Sequence, residues 1–183
     1  MWTSQRHSLD PEIHAIAFGT TGDRGLWRPE IGRAFSTWID PNFLREERRL
    51  LLDMIVRIIG ATDGDVGFVF SDKESSEVRW VKDGGRPYPG YVGLTYPRVR
   101  SNGLMYGAEV VLHPSWVVPR VILHEGMHVL GMGDSGVRSS LSGGLDSDTV
   151  PDIDRRAWRW MASQPFGAAG FSVVQDVKPF VCR

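Results

Sequence analysis

The chain of 183 residues contains one cysteine, Cys182, so no disulfide can form within it. Disulfide-stabilised scaffolds and redox pairs are thereby excluded. A lone thiol without any recognisable partner motif gives no reason to expect cysteine chemistry, and we interpret Cys182 as incidental. The chain is long enough to bury a core without covalent cross-links, and we expect one domain over residues 1–183.

An excess of charge of one sign is also lacking. The sequence has 21 Lys and Arg against 22 Asp and Glu, a net charge of -1. Such a balance creates no field that attracts nucleic acid or an anionic membrane, so neither partner is expected. No apolar run is long enough to cross a bilayer, and residues 1–12 are too polar for a signal peptide.

Hydrophobic periodicity predicts both strands and helices. Each predicted strand is short and rich in β-branched or aromatic residues, and each predicted helix has apolar residues at helical spacing. The predicted strands are 12–19, 65–71, 78–81, 91–98 and 107–113, with a further edge strand near 171–177. The predicted helices are a short one within 28–39, a long one over 43–59, one that begins at Pro119, and a last one over 151–163.

One stretch, residues 121–135, carries a pattern with a specific chemical meaning: His124-Glu125-x-x-His128, followed by Gly131 and Asp134. Two histidines four residues apart lie on one face of a helix, so their imidazoles can converge on one metal ion. Glu125 would then lie beside that ion, where a general base is needed. Gly131 would end the helix and turn the chain back, bringing Asp134 to the metal as a third ligand.

This spacing resembles the zinc signature of the metzincin metallopeptidases, and the aspartate at its last position resembles the snapalysin-like branch. The resemblance implies a zinc endopeptidase that acts on a peptide or protein substrate and needs no other partner. His124, His128 and Asp134 would bind zinc, and Glu125 would be the catalytic base. We also expect a monomer that is secreted or held in the cell envelope after loss of a leader, with a cytoplasmic protein as the alternative.

The implied fold is an α+β metzincin-like domain with a twisted mixed sheet of about five strands, a backing helix, the zinc helix and a C-terminal helix. Residues 12–134 would form its upper half and residues 135–183 its lower half and tail. In metzincins the strand before the zinc helix forms the rim of the cleft and pairs with extended substrate. We therefore expect substrate binding along a free edge at Ala108, Glu109, Val110 and Val111, the alternative being an internal strand.

The lower half departs from the family pattern at two points. Metzincins have a tight turn with a methionine beneath the zinc, and here Leu141 occupies the equivalent position. No tyrosine follows Tyr106, so the tyrosine that assists the transition state in some branches has no counterpart. These departures motivate a second hypothesis: a zinc-binding scaffold or interaction module with weak or no turnover.

Three polar features have competing interpretations. His14 is expected to have a structural or solvent role away from the zinc. Asp134 could cap the loop through backbone N–H groups instead of binding metal. The acidic residues near the last helix could hold calcium, although capping and solvation explain them equally well; these residues are Asp146, Asp148, Asp152 and Asp154.

Overall fold

The computed structural model describes residues 10–19, 26–83, 85, 90–144, 146–165 and 180–182. In these ranges the chain has the predicted α+β fold with one mixed sheet, and it contains four α-helices. The helices are α1 Pro11–Phe18, α2 Arg45–Ala61, α3 Pro119–Val129 and α4 Asp152–Ser163. The strands are β1 Arg33–Ile39, β2 Val66–Phe70, β3 Val78–Lys82, β4 Gly93–Val99, β5 Met105–Leu112 and β6 Phe180–Cys182.

The sheet has the strand order β2-β1-β3-β5-β4-β6. The first four strands in this order run parallel, whereas β4 runs antiparallel to β5 and β6 runs antiparallel to β4. Because β5 follows β4 in the sequence but lies between β3 and β4, the chain leaves β3, forms the outer strand first and then returns to fill the gap. Four of the six strands, β2 to β5, were predicted. Strand β1 lies where a helix was predicted, and β6, which has only three residues, was not predicted.

The core joins the sheet to α2 and α3. Phe35, Trp80 and Val110 from the sheet are fully buried, as are Ile58 of α2 and Leu123 of α3, and all five belong to one apolar cluster. The backing helix predicted over residues 43–59 is therefore confirmed, and its buried residues have helical spacing. Within the described ranges, none of the helices has both the length and the apolar character of a membrane span.

Two predictions near the N-terminus are wrong. The segment predicted as a strand over 12–19 forms helix α1, because Asp10 accepts a hydrogen bond from the backbone N–H of Glu12 at 3.0 Å and Pro11 follows as the first helical residue. The buried positions of α1 have helical spacing; they are Ile13, Ile16 and Ala17. His14 is exposed on this helix and does not belong to the group of residues that could hold a metal.

Residues 33–39, predicted as part of a short helix, form β1 in the middle of the parallel sheet. The two buried residues, Phe35 and Thr37, alternate with less buried ones, which is the spacing of a strand. The apolar residues of this segment also fit a helical pattern, and pairing with β2 and β3 decides between the two.

The last helix is confirmed with nearly its predicted bounds, and Ile153, Ala157 and Met161 are buried in it. Pro151 takes the N-cap position, and no side chain caps the helix. The predicted strand at 171–177 lies outside the described residues.

Candidate metal centre

The two histidines of the motif converge, as their spacing predicts. Helix α3 begins at Pro119 and buries both rings: His124 is 7% exposed and His128 is 0% exposed. Their Nε2 atoms lie 3.0 Å apart and the ring planes are nearly perpendicular, at 88°. Both nitrogens therefore face one small volume at the C-terminal end of the helix.

Gly131 turns the chain after α3 and brings in the third side chain. Its φ of 92° is in the left-handed region, and an added Cβ would lie 2.0 Å from the carbonyl oxygen of Trp27. Only glycine fits both conditions. After this turn the Oδ1 atom of Asp134 lies 3.4 Å from Nε2 of His124 and 3.4 Å from Nε2 of His128.

The three atoms have the spacing of a tetrahedral metal site. Zinc bonds of roughly 2.0–2.1 Å at tetrahedral angles separate neighbouring ligand atoms by about 3.3 Å. The observed separations are 3.0, 3.4 and 3.4 Å. His124, His128 and Asp134 can hold a metal ion, and they are the only such group of three or more His, Cys, Asp and Glu side chains in the described part of the chain.

Backbone carbonyl groups fix the tautomer of each histidine. Nδ1 of His124 lies 2.7 Å from the carbonyl oxygen of Leu141, and Nδ1 of His128 lies 2.8 Å from that of Met132. A carbonyl oxygen only accepts, so each Nδ1 carries the proton and donates it. The Nε2 lone pairs then face each other and the Asp134 carboxylate, an arrangement that a cation would stabilise.

The protonation states also suit a metal. Burial lowers the pKa of His128, so its ring is neutral at neutral pH. Burial alone would raise the pKa of Asp134, but the neighbouring His124 and His128 rings outweigh it and lower that pKa below its ordinary value. A neutral imidazole and an ionised carboxylate are the forms that bind metal.

Glu125 points from α3 toward β4. Its side chain is fully buried, and its Oε2 atom accepts a hydrogen bond from Oγ1 of Thr95 at 2.5 Å. Its Oε1 atom is buried without a hydrogen-bond partner among the described residues. An added Cβ on Gly93 would lie 2.3 Å from this atom, so glycine leaves the space that the carboxylate fills. Burial raises the pKa of Glu125 to about 7.

Leu141 lies beneath the histidines. It is fully buried in a 3-10 turn, Leu141–Gly143, and its carbonyl group holds His124. Asp154 of α4 fixes this turn from below: its Oδ2 accepts from the backbone N–H of Leu141 at 2.9 Å, and its Oδ1 accepts from Oγ of Ser140. Burial raises the pKa of Asp154 from its ordinary value.

Sequence reasoning missed this role of Asp154 and grouped it with possible calcium ligands. The sequence signal for this role was the position of Asp154. It lies three residues before Ala157 and seven before Met161, which places it on the inner face of α4 with them. Asp146 instead pairs with Arg120 at 3.1 Å. In the part of the chain that the structure describes, these acidic residues form no metal-binding group.

The predicted substrate edge on β5 is wrong. Ala108, Val110 and Val111 are buried, and β5 pairs with β3 on one side and with β4 on the other. Glu109 forms an ion pair with Arg79 of β3 at 2.8 Å. The physical reason is the return of the chain between β3 and β4, which leaves β4 as the outer strand beside the motif.

The outer edge of β4 carries the short strand β6. Gly93, Leu94 and Thr95 pair with Cys182, Val181 and Phe180, respectively. The ring of Phe180 stacks on that of His128, with 4.0 Å between centroids and 2° between planes. The sequence contains no local signal for this contact, since Phe180 lies 52 positions beyond His128.

Comparisons with known proteins give no further assignment, since neither a family model nor a curated protein matches the chain.

Proposed function

We propose that the protein is a zinc-dependent endopeptidase of the metzincin type. The observation that carries this proposal is the combination of a three-ligand metal group with a buried carboxylate on the next residue. A structural zinc site has no use for Glu125, whereas hydrolysis requires a base at that position. The position of Leu141 beneath the histidines and the α+β fold support the same family.

Zinc is the metal we propose because two imidazoles and one carboxylate form a donor set that it favours. Held by these three side chains, zinc would supply an acidified water and the means to polarise a carbonyl group. The described residues contribute three ligands and no fourth, which is the ligand number of a catalytic site. The charge of Asp134 would make the metal a weaker Lewis acid than a third histidine would.

Glu125 would move the proton. Its pKa of about 7 lets it accept a proton at neutral pH and release it again. Thr95 holds Oε2, so the proton would go to Oε1 and from there to the amine of the leaving peptide. Gly93 and Thr95 of β4 border this carboxylate. Backbone N–H and C=O groups on the outer edge of such a strand pair with an extended peptide.

A second candidate function is a metal-binding interaction module without turnover. Glu125 and His128 are both 0% exposed, and β6 lies across the adjoining part of β4. A site that never admits a substrate would have these features. Leucine in place of the turn methionine fits this candidate as well.

The test is Glu125→Ala, compared with wild type and with Glu74→Ala as a control at an exposed glutamate. Each protein is loaded with zinc, its metal content is measured, and casein hydrolysis is followed. We expect all three to keep zinc and only Glu125→Ala to lose hydrolysis. Equal hydrolysis by Glu125→Ala would remove Glu125 from the mechanism. Failure of the wild type and of Phe180→Ala to cut any member of a broad peptide library would favour the interaction module.

A further inference from the structure

Strand β4 has two edges with different partners. Its inner edge pairs with β5 over the whole strand, from Gly93 to Val99. On its outer edge, β6 pairs with only three of the seven residues of β4. Two of these three, Gly93 and Thr95, are the residues that border the Glu125 carboxylate. The β6 segment therefore covers the part of β4 nearest to the candidate catalytic base.

Phe180 anchors this segment against the metal centre. Its side chain is 6% exposed, stacks on His128 and lies edge-on to Trp27, with 6.4 Å between centroids. Met105 completes the same small apolar cluster. The ring thus covers one face of a metal-ligand imidazole, and His128 is fully buried beneath it.

Among the side chains of the metal group, Asp134 is the exposed one. The Asp134 side chain is 49% exposed, whereas Glu125 and His128 are 0% exposed. A peptide that approaches Glu125 along β4 would meet β6 first.

We propose that β6 is a built-in competitor for the substrate: residues 180–182 occupy the segment of β4 on which an extended peptide binds, and such a peptide displaces them. This inference rests on the proposed function for the identity of the competing ligand. It also names that ligand's chemistry, an extended peptide with an aromatic side chain that replaces Phe180 against His128 and Trp27.

Displacement is feasible because β6 is short. Strands usually have about five to six residues, and β6 has three. A peptide that pairs along more of β4 would form more backbone hydrogen bonds than β6 does. Tethering nevertheless gives β6 a high effective concentration, so the edge is open in only a fraction of the molecules. The apparent affinity of a free peptide is its intrinsic affinity multiplied by that fraction.

The experiment measures binding rather than turnover. The probe is the fluorescently labelled peptide acetyl-Lys-Pro-Phe-Val-Ser-Arg, which follows residues 178–183 with serine in place of Cys182. All proteins are zinc-loaded and carry Glu125→Gln, so that the probe is not cleaved. Affinity is measured by fluorescence anisotropy for this parent, for Phe180→Ala and for the control Phe70→Ala, which removes an exposed phenylalanine from β2 at the opposite edge of the sheet.

We expect Phe180→Ala to bind the probe at least 10-fold more tightly than the parent, and Phe70→Ala to match the parent. A second probe with alanine in place of phenylalanine should bind Phe180→Ala at least 10-fold more weakly than the first. Equal affinities of the parent and Phe180→Ala would overturn the proposal. If Phe180→Ala is not folded by circular dichroism, Phe180→Leu, which keeps an apolar side chain but loses the stacked ring, takes its place with the same criterion.

Hydrogen exchange supplies the second readout and separates the two proposals. In the parent, excess probe should speed amide exchange at residues 180–182 and leave residues 93–95 protected; unchanged exchange at 180–182 with probe bound would overturn the competitor role. Tighter probe binding by Phe180→Ala without any hydrolysis by proteins that retain Glu125 would keep the competitor and reject the peptidase. Hydrolysis by wild type, together with equal probe affinities of the parent and Phe180→Ala, would keep the peptidase and reject the competitor.

Discussion

The two sides of the candidate metal centre are built differently. On the lower side, carbonyl groups of Leu141 and Met132 hold the histidines, and Asp154 holds the turn that carries Leu141. On the upper side, Glu125 has one oxygen on Thr95 and one without a partner in the described residues, beside a strand edge covered by three residues. The hydrogen bonds on the lower side fix the orientation of the histidines. The upper side instead retains polar groups with which a bound substrate could form hydrogen bonds. Changes below should therefore alter metal affinity, and changes above should alter turnover.

The largest effect is expected from removing a histidine ligand. His124→Ala or His128→Ala should reduce zinc content from about one per chain to near zero, because two remaining ligands do not hold zinc through gel filtration. Elemental analysis after zinc loading and removal of excess zinc measures this zinc content. His14→Ala, at an exposed position on α1, is the matched control and should keep its zinc. Wild-type protein that also emerges without zinc would contradict the whole assignment.

A large but partial effect is expected at Asp134, the half-exposed ligand between the two sides. Asp134→Asn should weaken zinc binding by more than about 100-fold, since an amide carries no charge and is a poorer donor. Asp134→His should restore much of the affinity by providing a neutral imidazole. Zinc dissociation constants of wild type and of the asparagine and histidine variants, measured in one buffer, test whether Asp134 binds the metal. An unchanged constant for the asparagine variant would mean that Asp134 only caps the loop.

The metal group could be predicted from sequence because its geometry is local. His124 and His128 are four residues apart on one helix. At position 131, only glycine fits the turn that leads to Asp134. Local signals misled where they were ambiguous. The segment at Phe35 fits both a helix and a strand, and the cap formed by Asp10 outweighs the apparent alternation in α1.

The supports of the site depend on contacts between distant residues, which no local pattern encodes. Asp154 reaches Leu141 across 13 positions, and Phe180 reaches His128 only because β6 pairs with β4. The prediction of a substrate edge at Ala108 failed for the same reason. The order of strands in a sheet is set by how the chain returns, and the sequence of β5 alone does not show that β4 lies outside it.

A moderate effect on metal affinity is expected at Asp154, which touches no metal ligand directly. Asp154→Leu leaves the Leu141 N–H and the Ser140 hydroxyl without their acceptor, so zinc affinity should fall by about 10- to 100-fold. The zinc-free protein should lose about 1–3 kcal/mol of unfolding free energy, measured by urea denaturation. Asp154→Asn retains one acceptor and should lose less of both. Asp152→Leu, exposed on the same helix, is the control; an equal loss there would argue against a specific role for Asp154.

The smallest effect on metal affinity, with a large one on turnover, is expected at Gly93. An added Cβ would lie 2.3 Å from Oε1 of Glu125 and 2.8 Å from its Cδ, so Gly93→Ala must displace the carboxylate. Displacing a catalytic group by about 1 Å lowers a rate by about 100-fold, and casein hydrolysis should fall by that factor while zinc affinity stays within about 3-fold of wild type, because no ligand or ligand support has moved.

Gly60→Ala on α2 is the matched control, since an added Cβ there has nothing within 4 Å. It should leave hydrolysis unchanged and add about 0.5–1 kcal/mol of stability, because alanine favours a helix over glycine. Full hydrolysis by Gly93→Ala would mean that the carboxylate does not act from the position beside β4. A loss of zinc in Gly93→Ala equal to that in Asp154→Leu would mean that the upper side also sets ligand geometry, and the distinction between the two sides would fail.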